Sequence, residues 1–140
     1  MRPVYETAGD LTAEDRVSDI LSAAWGFDLE KLPRLHTFDR ALKRGGVLRG
    51  YIEIKNRKKS YPTYLISLKK WRDMLMVSEA ANVPAALVVC WPVEGEMKTK
   101  VIRISRAKVG IVEGGRRDRG DPKDIEDMVE IPMSQFDDVF

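Results

Sequence analysis

From Tyr51 to Lys55 apolar and polar side chains alternate, with Glu53 between Ile52 and Ile54. Successive side chains on a strand leave opposite faces. This stretch therefore predicts a strand that buries the isoleucines and carries Tyr51, Glu53 and Lys55 on its other face. A second strand-like run begins near Phe38, and Gly45-Gly46 between the two marks a hairpin. Upstream, Val17, Ile20, Leu21 and Ala24 recur at helical spacing, which predicts a helix over residues 13–25, capped by Thr12 and stopped at Gly26. Asp15, three residues after Thr12, is its capping-box partner. Ser67 opens a second helix over residues 68–81, with Leu68, Trp71, Met74, Leu75 and Ser78 inward and Val83-Pro84 beyond its end. Residues 85–91 are uninterruptedly apolar, as in a strand covered on both faces. A strand, a helix and a buried strand in succession form a crossover unit, so the Glu53 and Cys90 strands are expected to be parallel neighbours. Residues 27–34 read as a loop around Pro33, and 113–127 as a long polar loop. Residues 101–104, 109–112 and 128–131 read as further strands.

The hairpin register decides which side chains meet. Pairing across a simple two-residue turn at Gly45-Gly46 sets Asp39 opposite Ile52, on the wrong face for Glu53. A longer loop or a bulge sets Asp39 opposite Glu53 and brings both carboxylates to one face. The second arrangement is the one expected.

Composition narrows the class. The 140 residues suit one domain with a real core, and a net charge of +2 says little about partners. Local charge says more, because basic residues bunch at 40–49, 56–59, 69–72 and 116–119. The lone Cys90 excludes an internal disulfide and fits a reducing compartment. No apolar stretch is long enough to span a membrane, and the first residues lack a signal-peptide pattern, so a single cytoplasmic domain is expected.

Glu14 falls at the edge of the first helix's apolar stripe. It is either a first-turn carboxylate favoured by the helix dipole or a group aimed at a site on the sheet; the helix alone favours the former. His36, three residues before Asp39, is expected on the opposite face, in a structural or exposed role. After Lys55, the loop bearing Arg57, Lys58, Lys59, Tyr61 and Tyr64 mixes cations with aromatics, a composition that grips phosphates and stacks bases. Lys70 flanks the inward stripe of the second helix and either snorkels past Trp71 or reaches a phosphate at the mouth of the site. Arg116, Arg117 and Arg119 contact a nucleic-acid backbone or pair with Asp118 and Asp121; the two readings stand level.

Two carboxylates and a lysine on neighbouring strands suit one chemistry above others. Asp and Glu are hard oxygen ligands for Mg²⁺ or Mn²⁺, which take one or two carboxylates along with waters and phosphate oxygens. A cation so held polarises a phosphodiester and lowers the pKa of a bound water, and an ammonium beside it orients that water or offsets charge on the phosphate. There is no Cys/His cluster for zinc, no serine-histidine-aspartate set, and no glycine spacing of a phosphate or dinucleotide loop.

Asp39, thirteen residues, then Glu53-Ile54-Lys55 resembles the signature of the PD-(D/E)XK nuclease superfamily, with Phe38 at the less faithful proline position. The order of elements from residue 11 to 91 is similar to that superfamily's restriction-endonuclease-like core: an α/β fold of αβββαβ order, with a mixed central sheet flanked by helices. Residues 92–140 would add C-terminal strands to the same single domain. The look-alikes include small stand-alone phage and prophage nucleases and Holliday-junction resolvases. The resemblance implies that Asp39, Glu53 and the Ile54 backbone carbonyl hold Mg²⁺ or Mn²⁺ and that Lys55 positions the attacking water. It turns Glu14 into the helix carboxylate of the site, either a second-metal ligand or a water-mediated one, and Lys70 into the polar residue of the following helix. The expected activity is metal-dependent endonucleolytic hydrolysis of DNA, with junctions among the candidate substrates and RNA left open. Resolving a junction would require a homodimer presenting two sites, and the sequence singles out no dimer surface. The alternative is a non-catalytic nucleic-acid-binding module or interaction subunit on the same fold. Retention of Asp39, Glu53 and Lys55 argues against it. A phage-encoded protein of this kind would work in the host cytoplasm.

Overall fold

The computed structural model of the protein describes residues 8–115 and 125–139. Helix α1 (Ala8–Trp25) leads into strands β1 (Asp28–Lys31), β2 (Arg40–Arg44) and β3 (Val47–Asn56). Strand β4 (Thr63–Ser67), helix α2 (Leu68–Ala81) and strands β5 (Ala85–Val93) and β6 (Glu96–Arg103) follow. Strands β7 (Gly110–Gly115), β8 (Ile125–Pro132) and β9 (Asp137–Asp138) complete the chain. A six-stranded sheet runs β1-β2-β3-β5-β6-β9, and a three-stranded sheet runs β4-β8-β7. The first three strands form an antiparallel meander, and β5 lies parallel to β3 after the α2 crossover, as the sequence pattern predicts. The architecture is the mixed α/β fold that the signature implies, with β6 and β9 widening its sheet.

The two faces of the main sheet bury different cores. Ile52, Ile54, Val88 and Cys90 meet Val17 and Leu21 of α1 on one face. On the other, Leu87, Val89 and Trp91 meet Trp71 and Met74 of α2, and Tyr64, Ile66, Val129 and Ile131 of the smaller sheet. Burying a side chain of this size contributes about 1.5–3 kcal/mol, so both layers clamp β3 and β5 in place. Helix α2 has the predicted bounds. Ser67 Oγ accepts the Lys70 N–H at 3.1 Å, and the helix closes on Asn82, whose left-handed backbone (φ 53°) lets its N–H reach the Glu79 and Ser78 carbonyls.

Four expectations change. Helix α1 begins at Ala8, so Thr12 lies inside the helix and does not cap it, and Glu14 is beyond the first turn. Val17 and Leu21 are fully buried, whereas Ala24 faces solvent. Residues 28–31 form a strand, not a loop; as an exposed edge, β1 needs little apolar signal to pair with β2. The supposed loop 113–127 is shorter, since Glu113-Gly114-Gly115 belongs to β7 and Ile125-Glu126-Asp127 to β8, and the two strands pair.

The hairpin register comes out as the carboxylate pair requires. Gly45 and Gly46 both hold positive φ (58° and 78°), a two-residue turn with the twist a hairpin favours. Arg44 pairs with Val47 and Lys43 with Leu48; a bulge then makes Leu42 pair with Gly50 and Arg40 with Ile52. Arg49 is the extra residue, and it advances the phase by one so that Arg40 faces Ile52; Asp39, just before β2, donates its N–H to the Ile52 carbonyl at 3.1 Å and meets Glu53 through its side chain. Gly50 is needed where the strand bends, because a Cβ there would sit 2.9 Å from the Pro84 carbonyl oxygen and 3.1 Å from Leu42 Cδ1.

Candidate active site

The end of β2 and the middle of β3 bring Asp39 and Glu53 together. Asp39 is nearly buried, and its Oδ2 accepts the Ile54 N–H at 2.8 Å. On an extended strand a residue's N–H and C=O leave on the same side, so the Ile54 carbonyl also points to the Asp39 side of β3. Tyr51 and Arg57 direct their N–H groups to the Pro84 and Cys90 carbonyls on the β5 side, which fixes that alternation.

Glu53 is 1 % exposed, and its two oxygens differ. Oε2 lies 3.0 Å from Lys70 Nζ and 3.7 Å from Lys55 Nζ. Oε1 is buried and finds no hydrogen-bond partner among the described residues. Burial first, then the Asp39 charge and a hydrogen bond shared with Asp39, push the Glu53 carboxyl up from 4.5 to about 7; Lys55 and Lys70 pull the other way. The two acids share that hydrogen bond only while one proton remains between them. With both ionised, the Glu53 carboxylate stands against a like charge while its Oε1 has no donor among the described residues. This is the environment a divalent cation would satisfy, and hard carboxylate oxygens beside a backbone carbonyl fit Mg²⁺ or Mn²⁺. Among the described residues there is no group of three or more His, Cys, Asp or Glu placed to hold a metal, so the fit rests on two carboxylates and main chain.

The remaining expected residues fall as follows. Lys55 shares the Glu53 face and is about one-third exposed at its side chain, open to a cleft of about 660 Å³. Lys70 lines the same cleft from α2, where it pairs with Glu53 and donates to the Thr37 carbonyl. Glu14 is buried on α1, its carboxylate 3.6 Å from the Arg40 guanidinium, which also holds Asp15 at 2.6 Å. Since Arg40 directly follows Asp39, α1 delivers Glu14 to the same end of β2. Arg57, Lys58, Lys59 and Tyr61 form an exposed loop leaving β3, with the Arg57 guanidinium 4.7 Å over the Tyr64 ring and Lys59 Nζ 5.4 Å over Tyr61. Arg116, Arg117 and Arg119 lie outside the described residues.

Sequence reasoning misplaced His36, overlooked Arg40, and gave Tyr64 a stacking role without seeing its place beside the carboxylates. Residues 36–38 precede β2 and do not alternate as a strand, so His36 lines the same cleft as Glu53 and Lys55. Its Nδ1 accepts the Phe38 N–H at 3.0 Å, and its ring lies 5.4 Å from that of Tyr51, which gives it the structural role expected. The signal for Arg40 was present: the residue after Asp39 must face α1, where Glu14 and Asp15 stand. Burial pushes the Tyr64 hydroxyl up to about 12, with Arg57 opposing and Glu53 and Asp39 adding to the rise, so Tyr64 belongs to the electrostatics of this site.

An antiparallel meander that sets Asp39 beside Glu53, and opens Glu53 and Lys55 to one cleft next to a crossover helix, has the arrangement of a nuclease-class α/β domain. A family model described as "Phage putative PDDEXK endonuclease" matches residues 1–139, and the chain belongs to that family. Among solved structures, the chain resembles the Holliday junction resolvase Hjc of the archaeal hyperthermophile Archaeoglobus fulgidus. The TM-score is 0.58 at 16 % identity, covering 89 % of this chain and 85 % of that one. No curated protein matches the sequence. Among the described residues, no helix is long and apolar enough to cross a membrane.

Proposed function

We propose that the protein is a divalent-metal-dependent endonuclease that hydrolyses phosphodiester bonds of DNA, with branched DNA such as a four-way junction as its favoured substrate. The observation that carries this reading is the buried Asp39–Glu53 pair, one of whose oxygens has no donor, with Lys55 at its open side. Likeness of fold to a junction resolvase supports the choice of branched DNA.

Asp39, Glu53 and the Ile54 carbonyl would hold Mg²⁺ or Mn²⁺, with Glu14 of α1, which pairs with Arg40, acting through a bound water and not as a direct ligand. The cation supplies Lewis acidity toward the phosphate and acidifies water. Lys55 aligns the attacking water and offsets charge that builds on the phosphate, because its ammonium is the partly exposed cation beside Glu53. Lys70 is a positioning residue: bridging Glu53 Oε2 and the Thr37 carbonyl, it fixes the carboxylate's rotamer and ties α2 to the segment before Asp39. Arg57, Lys58 and Lys59 bind backbone phosphates on the approach, and Arg116, Arg117 and Arg119 are candidates for the same role. A homodimer would present two such sites to a junction.

The test is a cleavage panel of linear, nicked, flapped and four-way-junction DNA with Mg²⁺, Mn²⁺ or EDTA. Cleavage should need metal, favour the junction, and fall by at least ~100-fold in Asp39→Ala, Glu53→Ala and Lys55→Ala. Full activity in Glu53→Ala, or in EDTA, would refute the proposal.

A further inference from the structure

Beside the carboxylate cleft lies a second one of about 290 Å³, which the mechanism above does not use. Its walls include Arg57, Lys59, Tyr61, Tyr64, Trp91 and Met133. Trp91 is almost buried and forms part of a fixed floor, whereas Tyr61 is about half exposed and forms a movable side. The two clefts are neighbours in the strict sense, since Tyr64 and Leu65 line both.

We propose that this second cleft takes a single unpaired nucleobase from the DNA strand whose phosphate lies at Glu53 and Lys55. The inference rests on the nuclease reading and adds to it a preference for an unpaired nucleotide next to the cut. Three observations carry it. The lining is apolar and aromatic at its floor and cationic at its rim, the combination that stacks a base and holds its phosphate. The exposed Arg57 guanidinium lies 4.7 Å over the buried Tyr64 ring, and an arginine plane is a surface that accepts an unstacked base. Arg57 lies two residues beyond Lys55 along the strand direction, about 7 Å of extended chain, a step that one nucleotide can bridge. The volume is at the small end of ligand clefts and suits one base, not a pair. A base must leave its stack to enter, and it does so most readily where it is already unpaired, as at a bulge or a junction centre.

The probes are two otherwise identical duplexes with a one-nucleotide bulge, carrying either 2-aminopurine or an abasic residue at the bulge. Affinities and 2-aminopurine emission are measured in EDTA, and cleavage in Mg²⁺. The wild-type protein should bind the base-bearing duplex roughly tenfold or more tightly than the abasic one and change its emission on binding. Tyr61→Ala should bring that ratio close to one, and Tyr61→Phe should keep it. The abasic duplex reports phosphate contacts in each variant, and the exposure of Tyr61 makes both substitutions compatible with folding. A ratio of one in the wild type, or a ratio retained in Tyr61→Ala, overturns the pocket. If metal-dependent cleavage persists in that case, the pocket falls alone; if neither duplex is bound or cut, the nuclease reading falls with it.

Discussion

Replacing Glu53 by Gln should make the metal-free protein more stable while removing its activity. Glu53 is buried beside Asp39, and its carboxyl titrates near 7 in place of 4.5. A raised carboxyl pKa means that the folded state holds the proton after the unfolded chain has released it. The associated stability is therefore complete below about pH 4.5 and is lost as pH climbs through about 7. The gap between those values corresponds to roughly 3 kcal/mol, and the pair, not either acid alone, owns the titration. In Glu53→Gln the amide can donate to Asp39 while its oxygen still accepts from Lys70, so the like-charge contact disappears without a change of shape. The gain above pH 7 should be about 1–3 kcal/mol, reduced from the full gap because Lys55 and Lys70 each lose an ionic partner. The assay is urea unfolding in EDTA at intervals from about pH 5 to pH 9. The wild type should lose stability across that range, and the variant should stay nearly flat, with the curves converging at the acid end. Adding Mg²⁺ should reverse the order. A ligand at a hundredfold excess over its Kd stabilises by about 3 kcal/mol, and the variant lacks half of the carboxylate pair that holds it. A wild-type stability that is level through neutral pH in EDTA, or a variant less stable at about pH 8, would refute the reasoning.

Gly50→Ala should cost about 1–3 kcal/mol in chemical denaturation and lower cleavage in proportion to the register it disturbs, because its Cβ would press on Pro84 and Leu42. Arg40→Met should destabilise the protein by about 1–3 kcal/mol at neutral pH, since it removes the guanidinium that Glu14 and Asp15 share; the companion Glu14→Gln, Arg40→Met double variant should recover part of that loss in the same melts. DNA affinity should fall linearly with salt on logarithmic axes, and Lys58→Ala with Lys59→Ala should flatten the slope by about 2, as measured by fluorescence anisotropy between low and moderate salt.

The parts of the fold that could be read from the chain are those whose signals are local. Ser67 followed by a 3.6-residue stripe predicts α2 because one hydroxyl and five inward side chains speak for the same element. The apolar run at the start of β5 is equally self-contained. The pairing of Asp39 with Glu53 was legible only as a condition, because strand alternation says which faces exist, not where the extra residue sits. The start of α1 was lost because Thr12, just before the apolar stripe that begins at Val17, imitates a cap from inside the helix. Strand β1 is four mostly exposed residues, and its reason for being a strand lies in β2. The smaller sheet was harder still: β4 pairs with β8 across more than sixty positions, so nothing near Tyr64 announces it. In the site, identities were legible and orientations less so. Lys70 and Lys55 look alike in sequence, and only the α2 packing turns Lys70 inward to Glu53.

The single extra residue at Arg49 makes the distance between the two carboxylates a matter of parity. Removing one residue anywhere between Asp39 and Glu53 would send one acid to the α1 layer, whereas removing or adding two would restore their meeting at the cost of a different turn. Length changes in this hairpin should therefore be tolerated in even steps and punished in odd ones. A compensating pair, a deletion at the bulge with an insertion at Gly45-Gly46, should rebuild the site from two changes that are each ruinous alone. Evolution of the hairpin is thereby confined to moves that keep count, which leaves its exposed tip free to vary in residue type and size while the residues that meet beneath it stay the same.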